Sequence, residues 1–409
     1  MNAAAGSLPR AWLIVGLLWV VAALNYLDRI MITTMRESLT EVIPMTDAQF
    51  GLLTSVFLWV YGLLSPFAGF LADRFNRCRL ILVSLFVWSV LTWLTGHART
   101  FEELLVLRAL MGISEAAYLP AALALIADYH PGGTRSLATG IHMTGLSIGS
   151  GLGGLGGWLA EKHGWSFAFD LFGLFGIVYA VLLALLLREP AHLETGASTN
   201  SSLPKAKLGE ALASLFGNGS FLLLLVYWSL FGLAGWAVIG WMPTYFKEHF
   251  GLSQGAAGIA ATGYLYTAAI LGKLIGGAWA DRWSRTQVRA RIFVPAIGLF
   301  IAAPAAFIVA NTSVLAIAIA GLSVYGMMRS FSDTNLMPVL CQVADPRYRA
   351  TGYGVLNMFA TILGGLTIYA GGAMRDAQVN VGTLFQCAAA GLLVCAVLML
   401  FVRPRREPR

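Results

Sequence analysis

Apolar runs of about 20 residues recur along almost the whole chain, separated by short polar turns, and that length is what an α-helix needs to cross a bilayer. The pattern predicts twelve spanning helices: 11–35, 47–72, 79–97, 101–129, 134–161, 165–187, 219–246, 253–280, 289–310, 313–343, 348–374 and 380–402. One long polar stretch, 188–218, rich in Ser, Thr, Asn, Pro and Lys, parts six spans from six. It reads as a cytoplasmic linker between an N-terminal bundle, 1–187, and a C-terminal bundle, 219–409.

Composition agrees with an all-α membrane protein. Of 409 residues, 58% are hydrophobic and 11% charged, with a mean hydropathy of +0.73, values a soluble domain of this size does not show. The first ten residues are too short and polar for a cleaved leader, and the first apolar segment carries Asp28 and Arg29, so a retained span is expected. Cys78, Cys341, Cys387 and Cys395 are scattered without metal-ligand or redox spacing.

The net charge of +7 suggests nucleic acid until the basic residues are placed. With both termini on one side, that side collects 18 of the 27 basic residues, and the other holds five: Arg36, Arg99, Lys162, Lys247 and Arg375. The positive-inside rule then predicts cytoplasmic termini in a cell (inner or plasma) membrane, and the basicity is topology rather than a nucleic-acid surface.

The two halves repeat. Gly69-Phe-Leu-Ala-Asp73-Arg74-Phe-Asn-Arg77 closes the second span and Gly277-Ala-Trp-Ala-Asp281-Arg282-Trp-Ser-Arg285 closes the eighth, offset by 208 residues. Ala138-Thr139-Gly140 and Ala350-Thr351-Gly352 open the fifth and eleventh spans, offset by 212. Two echoes at nearly one spacing indicate duplication, a common construction of secondary transporters.

Charge inside the apolar segments is costly, at least about 2.5–3.5 kcal/mol per ionisable group near the bilayer centre. The first span holds Asn25-Tyr26-Leu27-Asp28-Arg29, and the fourth holds Arg108 and Glu115, which lie seven residues apart on one helix face. Two readings stand: a buried ion cluster that only fixes packing, and a site for proton and anion chemistry. In the tenth span Arg329 and Asp333 sit one turn apart, either as a local pair or as a second anion ligand with its acid. Lys273 is two turns from the basic end of its span, where snorkelling to the interface is expected. His142 is either a core histidine or a second titrating group, a role Asp333 shares. Trp236, Trp241, Tyr264, Tyr266 and Asn357 are candidate cavity residues, whereas Tyr245, near a helix end, fits the interfacial aromatic belt.

The doubled Gly-x-x-x-Asp-Arg-x-x-Arg loops resemble the signature of the major facilitator superfamily, over the whole chain. The resemblance implies two six-helix bundles that rock about a central site, with Gly69, Asp73, Arg74, Arg77, Gly277, Asp281, Arg282 and Arg285 forming a cytoplasmic gate. For Arg77, Arg79 and Arg285, topological anchoring is the plainer role. Within the superfamily, Asn-Tyr-x-Asp-Arg and the Arg108/Glu115 pair resemble the anion:cation symporters, which include proton-coupled carriers of sugar acids and other organic anions. That likeness implies substrate contacts at Arg29, Asn25, Tyr26 and Tyr61, completed by Arg329, Asn357 and Trp236, and proton coupling at Asp28 and Glu115 with Arg108 as counter-ion. Leu146 stands where sugar-acid carriers have glutamine, which counts against a sugar acid in particular. Asp73-Arg74-Phe75-Asn76-Arg77, Glu115-Ala-Ala-Tyr118 and Gly149-Ser-Gly151-Leu-Gly153 also resemble the Spinster-like lysolipid and sphingolipid transporters, which gives the second reading.

Gly151-Leu-Gly153-Gly154-Leu155-Gly156 matches a dinucleotide fingerprint, but no strand precedes it, so it is read as a close-packing or bending element. No Walker motif, metal cluster or nucleophile–base spacing occurs. The expectation is therefore a monomeric secondary transporter without cofactor or enzymatic activity, whose partners are protons, the bilayer and an organic anion or lysolipid.

Overall fold

A computed structural model of the protein describes residues 8–130, 134–188 and 208–405, with the side chains of 8, 69–74, 136 and 208 outside that description. The described residues are helical, with no strand among them: α1 (Leu8–Thr34), α2 (Arg36–Val42), α3 (Asp47–Arg74), α4 (Arg77–Thr95), α5 (Phe101–Glu115), α6 (Tyr118–Tyr129), α7 (Arg135–Leu152), α8 (Gly154–His163) and α9 (Trp165–Leu186). After the linker, of which 189–207 lie outside the described residues, come α10 (Leu208–Phe216), α11 (Gly219–Phe250), α12 (Gln254–Ser284), α13 (Ala290–Asn311), α14 (Leu315–Val343), α15 (Arg349–Asp376) and α16 (Val381–Phe401). Eleven helical segments are long and apolar enough to span a membrane, counting Phe101–Tyr129 as one.

The segment expected as one helix over 134–161 is instead split at Gly153 into α7 and α8. The cause is packing. A Cβ at Gly149 would collide with the backbone of Ala23, and one at Gly154 would come within 2.7 Å of the Gly258 carbonyl oxygen. The glycine run thus lets this element pack on α1 and bend across to α12 at once. The fourth span is also interrupted, directly after Glu115, before α6 resumes at Tyr118. Pro120 supplies the reason, because its ring nitrogen cannot donate to the carbonyl of Ala116 and the ring crowds that carbonyl.

Within the N-terminal half α1 packs on α7, α3 on α5, and α4 on α9; within the C-terminal half α12 and α13 pack on α14, and α11 on α15. The halves meet along α3 against α15 and along α7–α8 against α12. Small residues bring the first pair close: the Ser55 hydroxyl donates to the Gly365 carbonyl at 2.6 Å and Trp59 Nε1 to the Ile362 carbonyl at 3.0 Å. At the basic-loop end, Asp345 accepts from the backbone of Arg347 at 3.0 Å and from Arg405 at 3.3 Å, tying the C-terminal tail to the α14–α15 turn. The Arg347 guanidinium holds the Asp345 carboxyl well below the usual carboxylate range.

Candidate functional site

Asn25, Tyr26, Asp28 and Arg29 occupy the last three turns of α1, and Arg108 and Glu115 the facing side of α5. The fold brings the four charges together and removes them from solvent: Asp28, Arg29, Arg108 and Glu115 are 2, 4, 0 and 1% exposed. Arg29 Nε donates to Glu115 Oε2 at 2.7 Å, and Asn25 Nδ2 donates to the same oxygen at 2.9 Å. The Arg29 guanidinium is framed by aromatic rings, with Tyr61 at 4.3 Å, Tyr26 at 4.8 Å and Phe57 at 5.0 Å from its carbon.

The partner of Glu115 is therefore Arg29. Arg108 makes no ion pair within 4.0 Å among the described residues; it donates to the carbonyls of Leu53 and Asp28, each at 3.4 Å, and to Met111 Sδ at 3.2 Å. Position explains this difference from the expected counter-ion role. Glu115 ends α5 directly beside Asn25 and Arg29 of α1, whereas Arg108 lies two turns back, against the Phe57 ring. Asp28 accepts from the Thr92 hydroxyl at 3.1 Å, while its second oxygen, Arg108 Nη2 and Glu115 Oε1 are buried without partners. One cation, Arg29, thus has one committed acid, while a second acid and a second cation wait beside it.

A second polar cluster faces this one from the C-terminal half. Arg329 reaches Asp333 Oδ2 at 3.4 Å and stacks 4.1 Å from the Phe231 ring. Lys273 does not snorkel to the interface: its ammonium donates to the Ser147 hydroxyl at 2.7 Å, across the boundary between the halves. The α7–α12 packing turns that face of α12 inward and offers it a hydroxyl. Lys273, Arg329, Asp333, Tyr266 and Tyr325 line a cavity of about 40 Å³.

Other expected residues fall elsewhere. Asn357 donates to the Ser65 hydroxyl at 3.0 Å in the α3–α15 seam. Trp236 packs against Gly364 of α15, and Trp241 donates to the Ile368 carbonyl at 2.9 Å. Tyr245 is 4% exposed and donates to the Ala310 carbonyl at 3.1 Å, so it is a buried inter-helix link and not part of an interfacial belt. His142 is fully buried against Tyr118 inside the N-terminal half, with no ion pair among the described residues. Tyr264 points outward, 51% exposed.

Of the expected gate, the side chains of Gly69, Asp73 and Arg74 lie outside the described residues. Arg77 pairs with Asp128 and Asp281 with Arg291, each within its own half. Gly277 faces Thr334, and Arg282 and Arg285 are exposed.

Among the described residues the ion pairs that cross the halves, including Arg375–Asp47 and Lys247–Glu37, are at the opposite end, within a network that sequence reasoning missed. Arg375 bridges Asp47 at 2.9 Å and Glu248 at 2.7 Å, Arg36 binds Asp47, and Lys247 binds Glu37 at 2.7 Å. Asp376 accepts from the backbone nitrogens of Asp47 and Ala48, both at 2.9 Å, capping α3 from the other half. These residues stand at four helix ends beside short connections, where their one visible signal is balanced opposite charge. A vestibule of about 140 Å³ lies within this ring, lined in part by Thr33, Thr40, Thr244 and Gln254. Each such pair contributes about 0.2–1 kcal/mol, and Asp47→Asn removes one that crosses the halves, Arg375–Asp47. The substitution is accordingly expected to raise the rate at which an impermeant maleimide labels Thr244→Cys in a cysteine-free background, by up to about fivefold. An unchanged rate would mean that apolar packing alone holds this end shut.

Two helical halves closed over charged groups that no soluble fold would bury there define a membrane transporter and not an enzyme. The chain belongs to the major facilitator superfamily: the model described as Major Facilitator Superfamily matches residues 18–368 and 245–409. The chain is similar to protein spinster homolog 1 of Xenopus laevis, 26% identical over 88% of this chain and 71% of that one. It is similar also to a probable L-galactonate transporter of Escherichia coli, 25% identical over 96% of this chain and 90% of that one. Among solved structures it is similar to a bacterial homologue of the human lysosomal transporter Spinster, described as inward-facing and unoccupied, with a TM-score of 0.76, 24% identity and coverage of 97% of this chain and 96% of that one.

Proposed function

We propose that this transporter is a proton-coupled symporter of a small organic anion, working by alternating access between two six-span bundles. The carrying observation is the buried Arg29–Glu115 pair, with Asp28 beside it and aromatic rings around it. Glu115 occupies the Nε side of the ring-framed Arg29 guanidinium. Protonating Glu115 frees the guanidinium for a substrate carboxylate, so cargo and proton load together. Once both leave, the ion pair re-forms and the empty carrier resets. Asp28, with one carboxylate oxygen unpartnered, relays that one proton to and from Glu115, and Arg108 stabilises whichever acid is ionised.

The positive-inside count supports placing the α2 end outside, so the network around Arg375 is the outer gate, closed here, and the Asp73 and Asp281 loops belong to the cytoplasmic gate. The split 134–161 segment counts as the twelfth span. The likeness to an L-galactonate transporter supports an acid cargo, with the reservation that Leu146 supplies no polar contact. The Spinster likeness supports the second reading, a lysolipid carrier. Against it, the cavity beside Arg329 is small, and its wall carries Lys273, Arg329 and Asp333 alongside the apolar Val238, Ile239 and Leu265, charges that a compact anion uses and an acyl chain does not.

Purified protein in proteoliposomes under an imposed inward proton gradient should take up an organic acid from a labelled panel, and uptake should collapse with a protonophore. Lysophosphatidylcholine transport with no acid taken up would overturn this reading.

A further inference from the structure

The cluster in the C-terminal half carries two cations, Lys273 and Arg329, against one carboxylate, Asp333. The pairing between them is weak. Arg329 meets Asp333 through a single 3.4 Å contact, its Nε is buried without a partner, and Lys273 has only the Ser147 hydroxyl, with no carboxylate within 4.0 Å among the described residues. The Tyr325 hydroxyl, on the wall of the same cavity, is also buried and unpartnered. The N-terminal cluster, by contrast, is balanced: Asp28 and Glu115 against Arg29 and Arg108, with His142 turned away into its own half. Helix α7 joins the clusters: its Ser147 takes the Lys273 bond, a Cβ at its Gly151 would lie 3.6 Å from Tyr266 on the cavity wall, and its Gly149 packs on Ala23, two residues before Asn25, so both clusters border the same seam between the halves.

Charge bookkeeping at that centre then constrains the cargo. A closed, water-poor centre tolerates net charge poorly. Without a coupled proton the groups sum to one positive charge, and one proton on Glu115 or Asp28 makes it two. A monoanion leaves that loaded centre charged, whereas a dianion neutralises it.

We propose that the cargo is a dianion, with one carboxylate on Arg29 and the second anionic group in the Lys273–Arg329 cavity of the opposite half. This rests on the organic-anion reading and narrows it. Each half then contributes cationic ligands to one molecule, so the loaded substrate adds to the Lys273–Ser147 and Thr262–Gly151 bonds that already tie the halves together beside the empty site. The cavity's roughly 40 Å³ suits a carboxylate-sized head.

The test is thermal stabilisation of the purified full chain by unbranched α,ω-dicarboxylates of three to six carbons and by the monocarboxylates of matching length. At least one dicarboxylate should half-saturate at about one-tenth the concentration of its monocarboxylate. Lys273→Met should erase that preference, leaving monocarboxylate binding within about twofold, and Lys273→Arg should restore it. Asp333→Asn, which removes the competing local acid, should tighten dicarboxylate binding and keeps the test decisive should Lys273→Met fail to fold. Equal binding of the two series, an equal loss of both in Lys273→Met, or no gain in Asp333→Asn overturns the dianion and leaves the organic-anion reading standing. Stabilisation by lysophosphatidylcholine and by neither acid series overturns both.

Discussion

Glu115→Gln should abolish proton-driven accumulation while leaving substrate exchange in place. Each coupled proton supports about tenfold accumulation per pH unit of gradient, because one unit corresponds to about 1.4 kcal/mol. In proteoliposomes with the membrane potential clamped at zero, the unmodified protein should therefore concentrate its acid at least about tenfold across one pH unit, and Glu115→Gln should reach a ratio of about one. Glutamine keeps the shape of the side chain and an oxygen that still accepts from Arg29 and Asn25, so a folding defect is not the expected cause of the loss. Counterflow of labelled against unlabelled substrate should continue, since exchange needs no net proton movement. Undiminished accumulation by Glu115→Gln would remove this carboxyl from the coupling step.

Arg29→Met should destabilise the protein far more than Arg108→Met, although both arginines are buried in one cluster. Arg29 carries a 2.7 Å ion pair, and removing one partner of a buried pair costs about 3–5 kcal/mol because the other charge is stranded. Arg108 gives up only long hydrogen bonds of 3.2–3.4 Å and a ring contact, and relief from its own desolvation offsets part of that loss. Thermal unfolding of the two variants in one detergent should place Arg29→Met well below Arg108→Met. Adding Glu115→Leu to Arg29→Met should recover much of the difference, a coupling that adding it to Arg108→Met should not reproduce. An Arg108→Met protein as unstable as Arg29→Met would mean that Arg108 is the true partner of the acids. Both variants should lose transport, Arg29→Met through substrate binding and Arg108→Met through an unbalanced centre.

The four charges of the N-terminal cluster were legible as a group because each breaks an apolar run, and such a break has few tolerable solutions in a bilayer. Their pairing was not legible. Arg108 and Glu115 share a helix face, which suggested a common charge system, but Pro120 interrupts the fourth span directly after Glu115 and leaves that carboxylate beside Asn25 and Arg29. Lys273 was misplaced for a related reason. Distance from a helix end says how deep a side chain sits, while rotation about the helix axis says whether it meets lipid or a neighbour, and the second depends on α7 packing against α12. The pairing around Arg375 was not legible because its members are scattered between residues 36 and 376 at separate helix ends.

The sequence alone therefore determined the membrane class, the helical segments, the internal duplication and the set of charged side chains that must meet inside the bundle. These follow from hydropathy and transfer cost, which are properties of each segment by itself. Only the tertiary structure decided that Glu115 pairs with Arg29, that Lys273 crosses to Ser147, that the fifth span breaks at Gly153, and that ion pairs close the α2 end. Those depend on the azimuth and register of one helix against another, which close contacts such as Gly149 on Ala23 and Gly154 on Gly258 set, and which no single segment encodes.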